Sequence, residues 1–540
     1  MKRVPMSQFW RQAGLIVLLC SAFAYPAAAA SPTAPQPSPG DIDLDTYLDA
    51  NNLSTPITNL GTFAFRPGGA SLEYPRGSGK YCVFASGLWV SAKVNGQTRV
   101  TVGSWIPEFR PGVIRPDGTY DPFTDPIYRV YKIVKGDTLS SDYTEWPVQH
   151  GAPATSAGKP LLLGDQTLWC VYHDADPAYH TALEGGTQPL GIEVQQLAFA
   201  FDWRVAFGNV VFLQFKVINK LANTLDSTYF GIWSDPDIGS AADDLAGCDP
   251  AAGLGFAYNG SNYDANYGLH PPCVGYDLLR GPRGDDGTNL GMTSFRAYGN
   301  GADPINASMS YYYLRGLSGN GSRLIDPTTG NPTAFEVSGD PVSGSGWLDR
   351  NPSDRRFIVG TGPFTMAPGD TQEIALGIIA ARGRSRIVSV RLMKELDKAA
   401  QAAYDAGFSG CFLPAAFEAW DDGPPEGPKR GDETPAEFGA KRTDLSRDGS
   451  SSWLSAGPNP SREGVTIRFR NPASDGVTVS ILDCSGRIVR TLDGAAPPGT
   501  EAAVEWDGRD ALNRRVPPGI YFVYLAGPEE ARTAKIVLLR

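Results

Sequence analysis

At 540 residues the chain is long enough for two or more domains, and 58 acidic against 47 basic residues set its formal charge at −11. That balance argues against nucleic acid as a partner and against direct binding to an anionic lipid surface. Gly (62) and Pro (44) make about a fifth of the chain, short of a disordered composition, while 11% aromatic residues supply the material for large cores.

The chain opens with Lys2, Arg3 and Arg11, then an apolar run from Ala13 to Ala24, then small residues from Ala27 to Ala30. This order predicts a signal peptide over residues 1–30, cleaved near Ala30 so that the mature chain starts at Ser31. The run is shorter than the ~20 apolar residues of a membrane anchor and is followed by Pro26. A lipoprotein would use Cys20, behind which Leu19 is a poor fit. Cleavage removes three basic residues and no acid, which moves the formal charge from −11 to −14. No later segment reaches transmembrane length. Residues 31–40 (SPTAPQPSPG) read as a flexible spacer.

Residues 41–411 read as a β-rich, sandwich-like body of one or two subdomains. Short alternating runs recur between Gly, Pro, Asn and Asp clusters: 81–93, 98–102, 128–134, 194–201, 210–219, 228–233 and 373–381. In 210–219 (VVFLQFKVIN), Val211, Leu213, Phe215 and Val217 face one way, and Gln214 and Lys216 the other. Residues 365–373 (TMAPGDTQE) carry turn chemistry and predict a hairpin between two strands. One helix is expected from about 389 to 406, capped by Ser389. Leu392, Leu396, Ala399 and Ala403 form its buried stripe, Lys394, Asp397, Lys398 and Gln401 face away, and Gly407 ends it.

The body holds one sharp concentration of potential ligands. Asp235, Asp237, Asp243, Asp244 and Asp249 fall within fifteen residues, in a Gly/Ala-rich loop after a strand. Such carboxylates repel unless solvated or neutralised, and Ca²⁺ suits a flexible loop of this kind. The spacing lacks the glycine and terminal glutamate of an EF-hand, and a solvated acidic loop is the competing reading. Cys170-x-x-His173 has no second pair at zinc-ligand spacing, so His173, Asp174, Asp176 and His180 read as an acidic turn after a strand. Six cysteines follow the leader, too few for a disulfide scaffold. Cys248 and Cys273 flank one loop-rich segment and are the expected pair. No nucleophile elbow, HExxH or phosphate loop is present.

Residues 412–452 are rich in charge, Pro, Gly and Ser and read as an interdomain linker. From 453 to 540 the alternation returns. Val465-Ile467-Phe469, Val477-Val479-Ile481, Ala502-Val504-Trp506, Ile520-Phe522-Tyr524 and Ala534-Ile536-Leu538 are the inward faces of an Ig-like sandwich of about seven strands.

Pro458-Asn459-Pro460, the turn at 483–487, Trp506-Asp507-Gly508-Arg509-Asp510, the run 516–521 (VPPGIY) and the end 535–540 (KIVLLR) occur in order across this segment. In that order they resemble the FlgD-type Ig-like domain and the type A C-terminal sorting domain of type IX secretion substrates. The resemblance implies an export partner recognised through this domain, with Pro458, Asn459, Pro460, Gly519, Tyr521, Lys535 and Arg540 as its sorting residues. The body, in runs such as 86–100, 164–180, 233–249 and 362–373, resembles uncharacterised N-terminal regions of large secreted bacterial proteins that carry the same domain. Together these features predict an extracellular or cell-surface protein of structural or interaction type, with a surface glycan or protein as further partner. A secreted hydrolase acting on polysaccharide and a carbohydrate- or protein-binding module are the alternatives.

Overall fold

A computed structural model describes residues 45–65, 72–202 and 207–408, and all but short stretches of 454–538. The signal peptide, the spacer and the linker lie outside the described residues, as do Cys411, Asn459, Pro460, Cys484 and Arg540.

The body is built on two antiparallel sheets. One runs in the order Asp45–Leu48, Thr55–Thr58, Thr62–Phe63, Ala85–Val94, Leu225–Asp235, Arg355–Met366, Ser294–Gly299, with Gln97–Val102 also paired to Ala85–Val94. The other runs Asp244–Asp249, Leu254–Asn259, Cys273–Arg280, Thr371–Ala381, Val210–Asn219, Ile192–Ala200, Gln166–His173, Arg110–Pro111, with Tyr131–Val134 beside Gln166–His173. Their inner faces share one core. Leu88, Val90, Phe230, Ile232, Phe357 and Val359 from the first sheet meet Leu168, Tyr172, Leu213, Phe215, Leu376 and Ile378 from the second. The predicted alternation of 210–219 holds: Val211, Leu213, Phe215 and Val217 all enter this core, and Lys216 is exposed.

Each sheet also buries its outer face. Helix Arg386–Asp405 lays Val390, Met393, Leu396, Ala400 and Ala403 on Phe212, Phe256 and Ile379 of the second sheet. Helix Ala307–Leu314 covers Trp89, Trp233 and Ile358 of the first with Tyr313 and Leu314. Strands buried on both faces lose strict alternation, so several read as continuous apolar runs.

Four expectations for the fold of the body are corrected. The long helix begins three residues earlier than expected, because Ser385 is its cap, its side chain accepting from Val388 N–H; Ser389 is buried inside and donates to the Pro271 carbonyl. Asp397 does not face away but is buried, 4% exposed, against the second sheet. The 365–373 turn joins no hairpin: Arg355–Met366 and Thr371–Ala381 belong to different sheets, so the turn crosses the sandwich.

The fourth correction is the Cys248–Cys273 pair. Cys248 lies opposite Gly255 and Cys273 opposite Tyr258, on strands that flank Leu254–Asn259 and so stand roughly 10 Å apart, with a further offset of about 10 Å along the strand direction. Cys248 faces the inter-sheet core and Cys273 the helix side. That geometry cannot close a disulfide. Both thiols are free, directed at the Glu336 and Ala381 carbonyls.

The C-terminal segment is a separate small sandwich. Leu454–Gly457, Val465–Arg470 and Glu501–Trp506 form one sheet; Ile488–Gly494, Val477–Leu482, Gly519–Ala526 and Arg532–Leu538 form the other. Ile467, Phe469, Val479, Ile481, Trp506, Ile536 and Leu538 fill the core as expected. Strand Gly519–Ala526 is in the opposite phase: Tyr521, Val523 and Leu525 point inward, while Phe522 and Tyr524 are half-buried. Its two faces are equally apolar, so alternation could not choose between them. The Tyr521 ring against Trp506, 5.0 Å between centroids, marks the inner face. Among the described residues no helix is long and apolar enough to cross a membrane.

Candidate functional site

The five clustered aspartates are separated by the fold. Asp235 ends strand Leu225–Asp235, which lies between Ala85–Val94 and Arg355–Met366 in the first sheet, and Asp237 follows it. Ser234 lies opposite Phe357, so Asp235 falls alongside Arg356 of the neighbouring strand. Asp354, just before that strand, joins them: one carboxylate oxygen from each of Asp235, Asp237 and Asp354 lies within 4.8 Å of the others.

Arg356, 8% exposed, sits among these acids. Its Nε is 3.5 Å from both Asp235 Oδ1 and Asp303 Oδ1, and its Nη1 is 3.3 Å from Asp354 Oδ1. None of these five atoms makes a hydrogen bond. The arginine is thus shared loosely among three carboxylates rather than locked bidentate onto one. Its guanidinium lies 5.1 Å from the Trp105 ring, which packs edge-on against Trp233 at 4.9 Å.

Burial governs the protonation of these acids. It pushes Asp235 up to about 8, against the pull of Arg356, with Asp237, Asp354 and Asp303 adding to the rise. It pushes Asp237 up to about 6, with Asp354 adding and Arg356 opposing, and raises Asp303. Arg356 loses to burial but gains more from Asp235, Asp303 and Asp354, and is held above its ordinary value. Such a site favours whatever supplies positive charge: protons, the arginine, or a metal cation. Oxygen-only donors from three carboxylates suit a hard divalent ion such as Ca²⁺.

The other three aspartates have different work. Asp244 is fully buried, accepts from Ile238 N–H at 3.0 Å, and is raised well above the ordinary carboxylate range by that burial. Asp243 stands beside Asn259 and Asp264, the latter holding Ser240 N–H and Tyr267 N–H. These residues shape the loop after Asp237. Asp249 pairs with Lys394 at 3.0 Å and so ties the long helix to the edge strand. Asp303 and Asp354 were not anticipated, since they lie far along the chain; the only local signal is two acids placed just before a helix and a strand.

The turn after Gln166–His173 is structural. Asp174 accepts from Thr101 Oγ1 and from the N–H groups of Leu190, Gly191 and Ile192, all at 2.6–2.8 Å. Cys170 points into the inter-sheet core toward the Thr58 carbonyl. Of the sorting residues, Tyr521 is a core residue, Pro458 is exposed, and Gly519 and Lys535 pair within the last two strands.

No curated protein matches the chain. Among solved structures, a polysaccharide lyase is 8% identical over 84% of this chain and 46% of its own, with a TM-score of 0.20. Dimeric latent PorU from Porphyromonas gingivalis is 10% identical over 92% of this chain and 32% of its own, TM-score 0.14. PorZ of the same organism, described as an essential bacterial surface component of the type-IX secretion system, is 12% identical over 94% and 61%, TM-score 0.14. The chain spans less than two thirds of each, and likeness this slight says nothing of activity. A family model does match the C-terminal sandwich: residues 460–528 are similar to the FlgD Ig-like domain.

Proposed function

We propose that the protein is exported and displayed at the cell surface, as a structural or interaction protein whose C-terminal domain is the handle read by a type IX-like export system. The observation that carries this reading is the FlgD Ig-like match over residues 460–528, joined to the signal-peptide pattern of residues 1–30. Within that domain, Arg532–Leu538 pairs along Gly519–Ala526, and Ile536 and Leu538 complete the core. Residues 412–540 fused to a signal-bearing periplasmic reporter should reach the surface or medium in a host with such a system. A reporter that stays periplasmic while the host exports its own substrates overturns the sorting role and leaves an Ig-like spacer.

The geometry of Asp235, Asp237 and Asp354 favours a second element of this reading, a calcium site on the body. A cation bound only by the folded state raises stability, by about 2.7 kcal/mol at a hundredfold excess over Kd. Calcium should therefore raise the melting temperature of the intact chain. Asp237→Asn and Asp354→Asn should abolish the shift, while Asp243→Asn should leave it in place. Calorimetry showing no calcium-dependent change, or a shift lost equally in Asp243→Asn, counts against the site.

A further inference from the structure

A cavity of about 510 Å³ opens beyond the Ser294–Gly299 edge of the first sheet, walled largely by residues 346–351 and Glu336. It is separate from the aspartate cluster, and its size falls within the range of small-ligand sites. Trp347, half-buried against the inter-sheet core, forms part of the wall. A tryptophan in a cavity wall offers a large rigid apolar surface with one polar edge.

The polar lining is prearranged. Asp349, 6% exposed in its side chain, accepts from Ala246 N–H at 3.0 Å, from Asn351 N–H at 3.2 Å and from Arg355 Nη2 at 2.8 Å. Glu336 pairs with Arg296 and accepts from Ala297 N–H. Both acids are thus matched and fixed by the protein. The buried Nε atoms of Arg296 and Arg355 make no hydrogen bond. Arg350 is the charge left over. It is exposed on the cavity wall, and among the described residues it has no ion-pair partner.

With Asp349 and Glu336 already paired, the lining charge left open to a ligand is the Arg350 guanidinium, which favours a ligand carrying a negative group. A tryptophan wall beside planar arginine and carboxylate groups suits a pyranose, with its apolar C–H face and its hydroxyl edge. We propose that this cavity binds an acidic saccharide, a uronate-bearing glycan, with Trp347 against the sugar ring and Arg350 on its carboxylate. This goes beyond the export reading and does not depend on it.

Titration calorimetry of the intact chain tests it, with oligosaccharides of galacturonate, glucuronate and mannuronate, a neutral galactose oligosaccharide of equal length, and inorganic phosphate. At least one oligouronate should bind, more weakly as salt rises, and the neutral sugar and phosphate should bind at least about tenfold more weakly. Arg350→Ala, at an exposed position, should keep the wild-type melting temperature and lose at least about tenfold in affinity. Trp347→Phe should bind more weakly than wild type and Trp347→Ala should lose binding. No binding to any oligouronate, equal binding of neutral sugar or phosphate, or affinity indifferent to Arg350→Ala overturns the proposal.

Discussion

Asp397→Asn should make the protein more stable at pH 9 and leave it nearly unchanged at pH 4. Asp277, on strand Cys273–Arg280, and Asp397, on the long helix, are buried facing each other, 0% and 4% exposed. Neither oxygen of Asp277, nor Oδ1 of Asp397, receives a hydrogen bond from another donor. Two carboxylates can meet there only if a proton lies between them. Burial raises Asp277 well above the ordinary range, with Asp397 adding to the rise. Burial pushes Asp397 up to about 7, with the bond to Asp277 opposing and Asp249, Lys394 and Lys398 as smaller influences. Asp405, on the same helix, adds a further rise to Asp277. Because the folded-state values are raised, the helix contact is intact below the unfolded value of 3.8 and weakens as pH climbs through about 7 and beyond. An amide mimics the protonated acid, donates to Asp277, and cannot ionise. At pH 9 it should be worth on the order of 2 kcal/mol. Asp277→Asn should act the same way, and thermal melts of both variants across pH 4 to 9 give the difference directly. The infrared difference spectrum of wild type minus Asp277→Asn at neutral pH should show the pair's protonated carboxyl band. A pH–stability slope identical in wild type and both variants would remove the shared proton from the account.

How far the sequence carried depended on whether a strand or helix has one buried face. Val211, Leu213, Phe215 and Val217 could be assigned because Gln214 and Lys216 break the opposite face of their strand. Gly519–Ala526 could not, because its apolar run continues on both sides and only the Trp506 ring sets its phase. The charge of Asp397 predicts a solvent-facing position, since carboxylates stay wet; its partner Asp277, more than a hundred residues earlier, is what permits the exception. The aspartate loop was legible as a concentration of charge but not as a site. Proximity in sequence grouped Asp243, Asp244 and Asp249 with Asp235 and Asp237. Strand pairing instead delivered Asp354 and Arg356, and the approach to helix Ala307–Leu314 delivered Asp303. Long-range pairing of this kind leaves no trace in local spacing. The disulfide expectation failed for the same reason, since nearness along the chain does not say which face of a sheet a cysteine takes.

Replacing Arg356 with methionine should have the other large effect, and it separates the two roles open to the aspartate cluster. Among the described residues, the arginine is the basic group within ion-pair distance of Asp235, Asp303 and Asp354. Methionine keeps an apolar stem beside Trp105 while removing the charge. Without divalent cation at pH 9, the acids then repel in a largely buried site, and the loss should be about 3 to 5 kcal/mol. Lowering the pH should shrink that loss. Asp235 and Asp237 titrate at raised values of about 8 and 6, so below those values they bind protons and need no counter-charge. Melts of wild type and variant at pH 5 and pH 9 measure both limits. Calcium then decides what the cluster is. In the wild type a cation must share the carboxylates with Arg356, which supplies part of the same neutralising charge. In Arg356→Met that competitor is gone, so calcium should bind more tightly and recover most of the lost stability at pH 9. Magnesium, smaller and slower to give up its water, should recover less. A variant destabilised at pH 9 that calcium does not rescue would make the cluster an ion-pair clasp, with Arg356 holding the end of strand Leu225–Asp235 to the segment carrying Asp303. A variant no less stable than wild type would mean that the acids are already protonated or hydrated, and that neither the arginine nor a metal is required there.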